Sequence, residues 1–283
     1  MCLSMLYFFK KKKLKNTLND LDFIIKHGED TCKHLHQQMP LNGINMFIYG
    51  LIERLYLSTI GLRNLVLQID KEPRVEYSIG IILRTTILDI LIALNFHKAL
   101  IGKGNSTSEG GAVASEQFAN EILSDGLRLT MNYFENAKGE GLITEGELKA
   151  NYSDLVNRFP IFFKTYLHDG SRPDLVFAAY YSPQKLFLNV YQQKEFKELS
   201  KLYDLYQFYS KYDHYGILYF ELIRQPMSKK NEYIADVVRG MLFHLFSMIR
   251  ALGLVNSKDD YYEGIFKEIE QYLMHRISVS TKI

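Results

Sequence analysis

The segment over residues 203–219, YDLYQFYSKYDHYGILY, combines tyrosines with Ser210, Asp213 and His214, whose side chains can exchange protons or hydrogen-bond. Ser210 and His214 lie four residues apart and therefore on one face of a helix, whereas Asp213 faces elsewhere. The three do not form a local Ser-His-Asp triad. They allow two interpretations: a buried hydrogen-bond network among phenol hydroxyls, or a site where His214 transfers protons. The tyrosines recur every third residue, at Tyr203, Tyr206, Tyr209, Tyr212 and Tyr215.

Two charged residues, Arg84 and Asp89, interrupt the apolar segment over residues 75–100. Their five-residue separation differs from the i,i+4 spacing of a helical ion pair, so we expect them to face different neighbours. An unpaired arginine in so apolar a segment would be costly. Arg84 therefore predicts a facing carboxylate, a cluster of backbone carbonyls or an anionic ligand. The pattern allows a structural ion pair as well as an anion-binding site.

A second arginine and histidine, Arg239 and His244, lie within a helix predicted over residues 229–254. An arginine can bind a phosphate group and neutralise the charge that develops on it, and a histidine can transfer protons near neutral pH. The same two side chains can also be core or surface residues without a catalytic function. The sequence leaves both interpretations open.

The sequence CKHLH places Cys32, His34 and His36 close together. On a helix, Cys32 and His36 share one side and His34 faces the other, so at most two of them can bind one metal ion. A zinc site would need two further ligands, and the chain has no second cluster of cysteine and histidine to supply them. We therefore expect neither a metal nor a cofactor.

The elements that position these residues are predicted to be helices. Hydrophobic residues make up 47% of the chain and recur at spacings of three and four. The predicted fold class is all-α, a multi-helix bundle of about eight to ten helices with the hydrophobic helix over residues 75–100 at its centre. We expect the other helices over residues 14–27, 42–69, 116–136, 144–166, 194–223, 229–254 and 258–275, and another helical stretch that starts at Ser182 and Pro183.

Local composition predicts the domain boundaries. Residues 1–40 form an N-terminal basic and amphipathic helical segment, and residues 41–283 form the helical bundle domain. Residues 102–115, GKGNSTSEGGAVAS, are rich in glycine and serine and predict a flexible loop that interrupts this domain.

Charge and cysteine content limit the partners and the compartment. The formal net charge is +2, so a nucleic-acid partner would have to bind a local patch rather than the field of the whole molecule. Two cysteines cannot form a disulfide framework and indicate a reducing compartment. We therefore expect the protein to be cytoplasmic.

The apolar N-terminal residues 1–9 are followed by four lysines, residues 10–13. As a helix, the apolar residues would reach about 13 Å, short of a hydrocarbon core of roughly 30 Å. The central helix carries Arg84 and Asp89, which are costly at mid-bilayer. We expect no transmembrane segment. The basic segment could bind an anionic membrane surface or RNA, or it could be a plain amphipathic helix with solvated lysines.

Two motifs together resemble an uncharacterised all-helical bacterial family, which is similar in pattern to abortive-infection and HEPN-like proteins. The first, GIILRTTILDILIALNF over residues 80–96, has the arginine and hydroxyl residue of that family in Arg84 and Thr85. The acid of the motif, Asp89, lies one residue beyond the family's usual place. The second, YQFYSKYDHYG over residues 206–216, has the Tyr-Ser-x-x-x-His element of the family.

The residues of that element are Tyr209, Ser210 and His214. Arg239 and His244 also fit the arginine and histidine spacing of HEPN ribonucleases. The resemblance implies a metal-independent ribonuclease or a phage-defence protein that acts on RNA, with one of the two arginine–histidine pairs as catalytic residues and a homodimer as the assembly. The alternative is a non-catalytic helical protein-interaction or regulatory module whose polar residues are structural.

Overall fold

The computed structural model of the chain describes residues 2–39, 43–69, 71–72, 74–101, 108–164, 171–177, 181–191, 201–210, 227–257 and 259–280. These residues contain nine α-helices and the short 3-10 helix Pro160–Phe162, and their only β-bridge is the isolated pair Phe163 and Leu175. The predicted all-α bundle is confirmed. The helices are α1 (Cys2–Gln37), α2 (Gly43–Val66), α3 (Val75–Ile101), α4 (Ser108–Gly139), α5 (Glu145–Arg158), α6 (Pro183–Tyr191), α7 (Leu202–Ser210), α8 (Met227–Val255) and α9 (Asp260–Ser280).

The chain divides into two compact units. Unit 1 comprises residues 1–102 and 183–283, and unit 2 comprises residues 103–182. Helix α1 packs on α2 and α8 within unit 1, so the contacts join the predicted N-terminal segment 1–40 to the bundle. Helix α4 begins at Ser108, so residues 108–115 are helical and not part of a loop as predicted. The rest of the predicted loop, residues 102–107, lies outside the described residues.

Helix α3 is the centre of unit 1, as predicted. It packs on α2, α6, α7 and α8, and its apolar side chains are removed from water on several sides. Each fully buried Leu, Ile or Phe stabilises the fold by about 1.5–3 kcal/mol relative to exposure. Its fully buried apolar residues are Leu83, Ile87, Ile90, Ala93, Leu94 and Phe96.

Within the part of the chain that the structure describes, two helices are long and apolar enough to cross a membrane by length and composition alone: α3, and α8 over residues 231–255. The most apolar window of each is 67% buried inside the structure, and the two helices pack against each other. The core helices of a water-soluble bundle have the same composition. The described residues therefore give no strong sign of a transmembrane protein.

Unit 2 has a small core of its own between α4, α5 and the 3-10 helix. Thr144 begins α5 with a capping box: its hydroxyl accepts from the Glu147 backbone N–H at 3.2 Å, and its own N–H donates to the Glu147 carboxylate at 2.7 Å. Gly141 makes the preceding turn with a φ of 73°, a conformation that favours glycine. The buried core residues are Met131, Leu148, Tyr152, Leu155, Phe162 and Phe163.

Candidate functional site

Asp89, one of the predicted site residues, is paired with an arginine that the sequence analysis did not name. The carboxylate is buried in α3, and Arg54 of α2 reaches it with Nη2 3.0 Å from Oδ1 and Nε 3.2 Å from Oδ2. Burial raises the pKa of Asp89 to about 6, although the positive charge and hydrogen bond of Arg54 oppose the rise. The pair joins α2 to α3.

Arg84 lies on another part of α3 and contacts the tyrosine-rich segment. Its guanidinium carbon is 5.8 Å from the centroid of the Tyr206 ring in α7, within the range of a cation–π interaction. The sequence predicted a carboxylate, backbone carbonyls or an anionic ligand opposite Arg84. The ring of Tyr206 is a kind of partner that the sequence did not predict. Its contact with Arg84 joins the two motifs on which the family resemblance rests.

Arg239 and His244 face different environments, although both belong to α8. Arg239 is exposed, and its Nη1 lies 3.7 Å from Oδ1 of Asp236. His244 is fully buried, and neither ring nitrogen has a hydrogen-bond partner among the residues that the structure describes. Burial lowers the pKa of His244 to about 3, and the charge of Arg54 adds to the effect. The imidazole is therefore neutral at pH 7.

Helix geometry explains why this pair does not converge. Five residues rotate a helix by about 500°, so the two side chains point roughly 140° apart. Gly240, directly after Arg239, lies where α8 packs closely on α3 and α7. A Cβ there would stand 3.1 Å from Ile90 Cδ1 and 3.3 Å from Leu202 Cδ2. This face of α8 is therefore a packing surface.

The second motif is described only in part. Tyr209 is buried, and burial together with the nearby Glu76 raises its pKa above the ordinary tyrosine value. Ser210 is the last residue of α7, and its hydroxyl donates to the Gln207 carbonyl at 2.7 Å. Asp213 and His214 lie outside the described residues, so their predicted roles stay predictions.

The CKHLH sequence lies in the second half of α1, beyond the helix predicted over residues 14–27 but within the predicted helical segment 1–40. His34 Nε2 is 2.7 Å from Oδ2 of Asp259, and its ring stacks on Tyr261 at 3.8 Å between centroids. Burial raises the pKa of the Cys32 thiol to about 12, which keeps it protonated. Among the described side chains, no group of three His, Cys, Asp or Glu residues gathers as metal ligands would.

His97, near the end of α3, is a buried histidine that the sequence analysis did not single out. Burial lowers its pKa to about 4, and the positive charge of Arg250 in α8 acts in the same direction. Its position in the apolar helix predicts burial, but the arginine comes from a distant part of the chain. The sequence therefore contained no signal that Arg250 lies near His97.

Two grooves in unit 1 could receive a ligand or a partner. The smaller, about 350 Å³, lies between α1 and α9 and is lined by both basic and acidic side chains, among them Lys26, His34 and Glu268. The larger, about 520 Å³, lies between α8 and α9 and includes Arg250. None of the predicted catalytic residues that the structure describes lines either groove.

The fold and these side chains define an all-α protein in which polar pairs such as Arg54–Asp89 join one helix to another. No family model matches the chain, and neither a curated protein nor a solved structure matches it. The HEPN-like resemblance therefore stays a prediction.

Proposed function

We propose that the chain is a non-catalytic helical interaction module whose core polar residues hold the helices in register. The observation that carries this proposal is the position of His244, which is sealed in the core and neutral at pH 7. A general acid or base must come within hydrogen-bond reach of its substrate. A histidine without access to solvent cannot serve a large substrate such as RNA.

Contacts between helices support the structural role of the polar residues. Asp89 and Arg54 join α3 to α2. Asn45 near the start of α2 and Asn256 just after α8 exchange two amide hydrogen bonds, of 3.0 and 3.1 Å. Satisfied polar contacts of this kind fix which residues oppose each other, because any shift along the helix axis would leave a buried polar group unpaired.

Metal-independent RNA cleavage of the HEPN type, with a role in phage defence, is the competing hypothesis. Its remaining support is the pair of Arg84 and His214, because Arg84 is half-buried at the α3–α7 contact. Both hypotheses keep the cytoplasm as the compartment, which the low cysteine content favours. They differ in whether the protein changes its partner chemically.

The test is incubation of the purified chain with total cellular RNA in the presence of EDTA. We expect no cleavage above that of a buffer control. We also expect His244→Met to fold and to be at least as stable as the wild type, because it replaces an unpartnered buried imidazole with an apolar side chain of similar size. Metal-independent cleavage that is lost in a folded His214→Ala or His244→Met variant would overturn the proposal.

A further inference from the structure

We call the groove between α8 and α9 the α8/α9 groove; it has a volume of about 520 Å³ and is lined by residues of both helices. Its α8 side is formed by residues 246, 249, 250, 253 and 254, the i, i+3, i+4, i+7 pattern of one helix face. Its α9 side spans residues 260–270, and Ser257 and Asp259 line it from the connection between the two helices. Nine and eleven residues of helix extend about 13 and 16 Å, so the walls are roughly two and a half and three turns long. A groove of this shape fits another helix lying along it.

Apolar side chains line part of the α8/α9 groove. Phe246 of α8 and Phe266 of α9 are half-buried, with ring centroids 5.0 Å apart. Leu254 is 53% exposed, which is unusual for a leucine at the edge of a helical core. These residues offer apolar surface that an apolar stripe on a partner helix would remove from water.

The rim of the α8/α9 groove is acidic. Four carboxylates line it, from Asp259, Asp260, Glu263 and Glu270, against a single arginine, Arg250. Asp259 is bonded to His34, and Glu263 is paired with Lys267 at 2.6 Å. Asp260 and Glu270 have no ion-pair partner among the described residues. The rim therefore attracts positive charge, although the net charge of the whole chain is +2.

We infer that the α8/α9 groove binds a basic amphipathic helix from a partner protein. The apolar stripe of that helix lies on Phe246, Leu254 and Phe266, while its lysines and arginines face Asp260 and Glu270. This inference rests on the proposed function, because it names the partner chemistry of the interaction module. An acidic helix would be repelled by the rim, and a purely apolar ligand would leave the carboxylates unpaired.

Gly253 provides a way to fill the groove without removing any contact. A Cβ at this position would meet only Tyr262 Cβ, at 3.7 Å, an ordinary van der Waals distance. Gly253→Leu should therefore fold and place a side chain in the groove. Gly126→Leu on α4 is the matched control, because a Cβ at Gly126 would have nothing within 4 Å and the position lies in unit 2.

The experiment measures fluorescence anisotropy of a labelled helical peptide of about 18 residues, built from leucine and lysine on opposite faces, with the full chain. We expect saturable binding that Gly253→Leu weakens by about tenfold or more and Gly126→Leu leaves unchanged. We expect Glu270→Gln to weaken binding a few-fold and to reduce its salt dependence. A peptide with glutamate in place of lysine should bind at least tenfold more weakly.

Equal binding of both peptides would overturn the inference in favour of non-specific apolar contact. Equal affinity of the wild type and Gly253→Leu would place the peptide elsewhere on the chain. No saturable binding of the lysine peptide would also overturn it. In all three cases the RNA assay tests the proposed non-catalytic function independently of the peptide assay. A chain that neither cleaves RNA nor binds this peptide can still be an interaction module for another partner.

Discussion

The Arg54–Asp89 pair has one exposed and one buried member: the arginine side chain is 63% exposed and the aspartate side chain is 5% exposed. The two partners are therefore not equivalent. Without its carboxylate, Arg54 can extend fully into water, but without its arginine, Asp89 keeps a charge that burial disfavours. At residue scale, this asymmetry decides what each substitution does, and the pKa of Asp89 at about 6 makes the effect depend on pH.

Arg54→Ala should destabilise the protein by about 2 kcal/mol at pH 8 and by less than half of that at pH 5. An aspartate ordinarily titrates near pH 4, and between that pH and 6 the folded state holds more protons at Asp89 than the unfolded state. The contribution of Asp89 to stability is therefore full at low pH and is lost as the pH rises through 6. Removing Arg54 raises the pKa of Asp89 further and enlarges the loss of stability at high pH. Urea unfolding at both pH values measures the free energy of unfolding of the variant and the wild type.

Arg63→Ala is the control for this prediction, because Arg63 pairs with Asp22 and neither side chain is buried. It should cost less than about 1 kcal/mol at either pH. If Arg54→Ala were equally destabilising at pH 5 and pH 8, the effect would come from lost packing of the arginine and not from the buried carboxylate.

At the scale of the element, α1 continues through a glycine at which it packs closely on α2. The helix predicted over residues 14–27 ends before Gly28, whereas α1 continues to Gln37, within the predicted helical segment 1–40. Gly28 packs directly on α2: a Cβ at this position would stand 3.2 Å from Tyr56 Cβ. A glycine usually lowers helix stability, and here it allows two helices to pack closely.

Gly28→Ala and Gly126→Ala should change stability in opposite directions. Both positions are helical, so both alanines gain up to about 1 kcal/mol of helix propensity. The Cβ at position 28 presses on α2 and should turn this gain into a net loss of about 1 kcal/mol, whereas position 126 has nothing within 4 Å. Thermal unfolding of both variants measures the difference. A gain in stability at both positions would mean that α1 and α2 separate easily.

Long apolar helices were the most predictable elements. The predicted boundaries of α3 and α8 agree with the structure to within two residues, because apolar periodicity over many turns outweighs local signals. The site was less predictable. Arg54 and Tyr206, the partners of Asp89 and Arg84, come from other helices, and local spacing cannot identify them. The sequence left open whether Arg239 and His244 are core or surface residues, because the burial of one and the exposure of the other depend on how α8 packs.

At the scale of the whole molecule, each of the two units has a buried core of its own. The core of unit 1 is built around α3 and α8, and the core of unit 2 around Tyr152 and its neighbours on α4 and α5. A chain with separate cores can lose structure in one part while the other stays folded. This property is useful in an interaction module, because one unit can adapt to a partner while the other keeps its shape.

Leu155→Ala should therefore increase hydrogen exchange in one unit only. Leu155 is 6% exposed in the core of unit 2, and its truncation should cost about 2–4 kcal/mol. We expect faster amide exchange in α4 and α5 and unchanged protection in α3 and α8, measured by mass spectrometry on the full chain. Leu94→Ala in the core of α3 is the reciprocal variant and should expose α3 and α8 instead. If either substitution accelerated exchange equally in both units, the two cores would unfold as one cooperative structure, and local adaptation in one unit could not occur without the other.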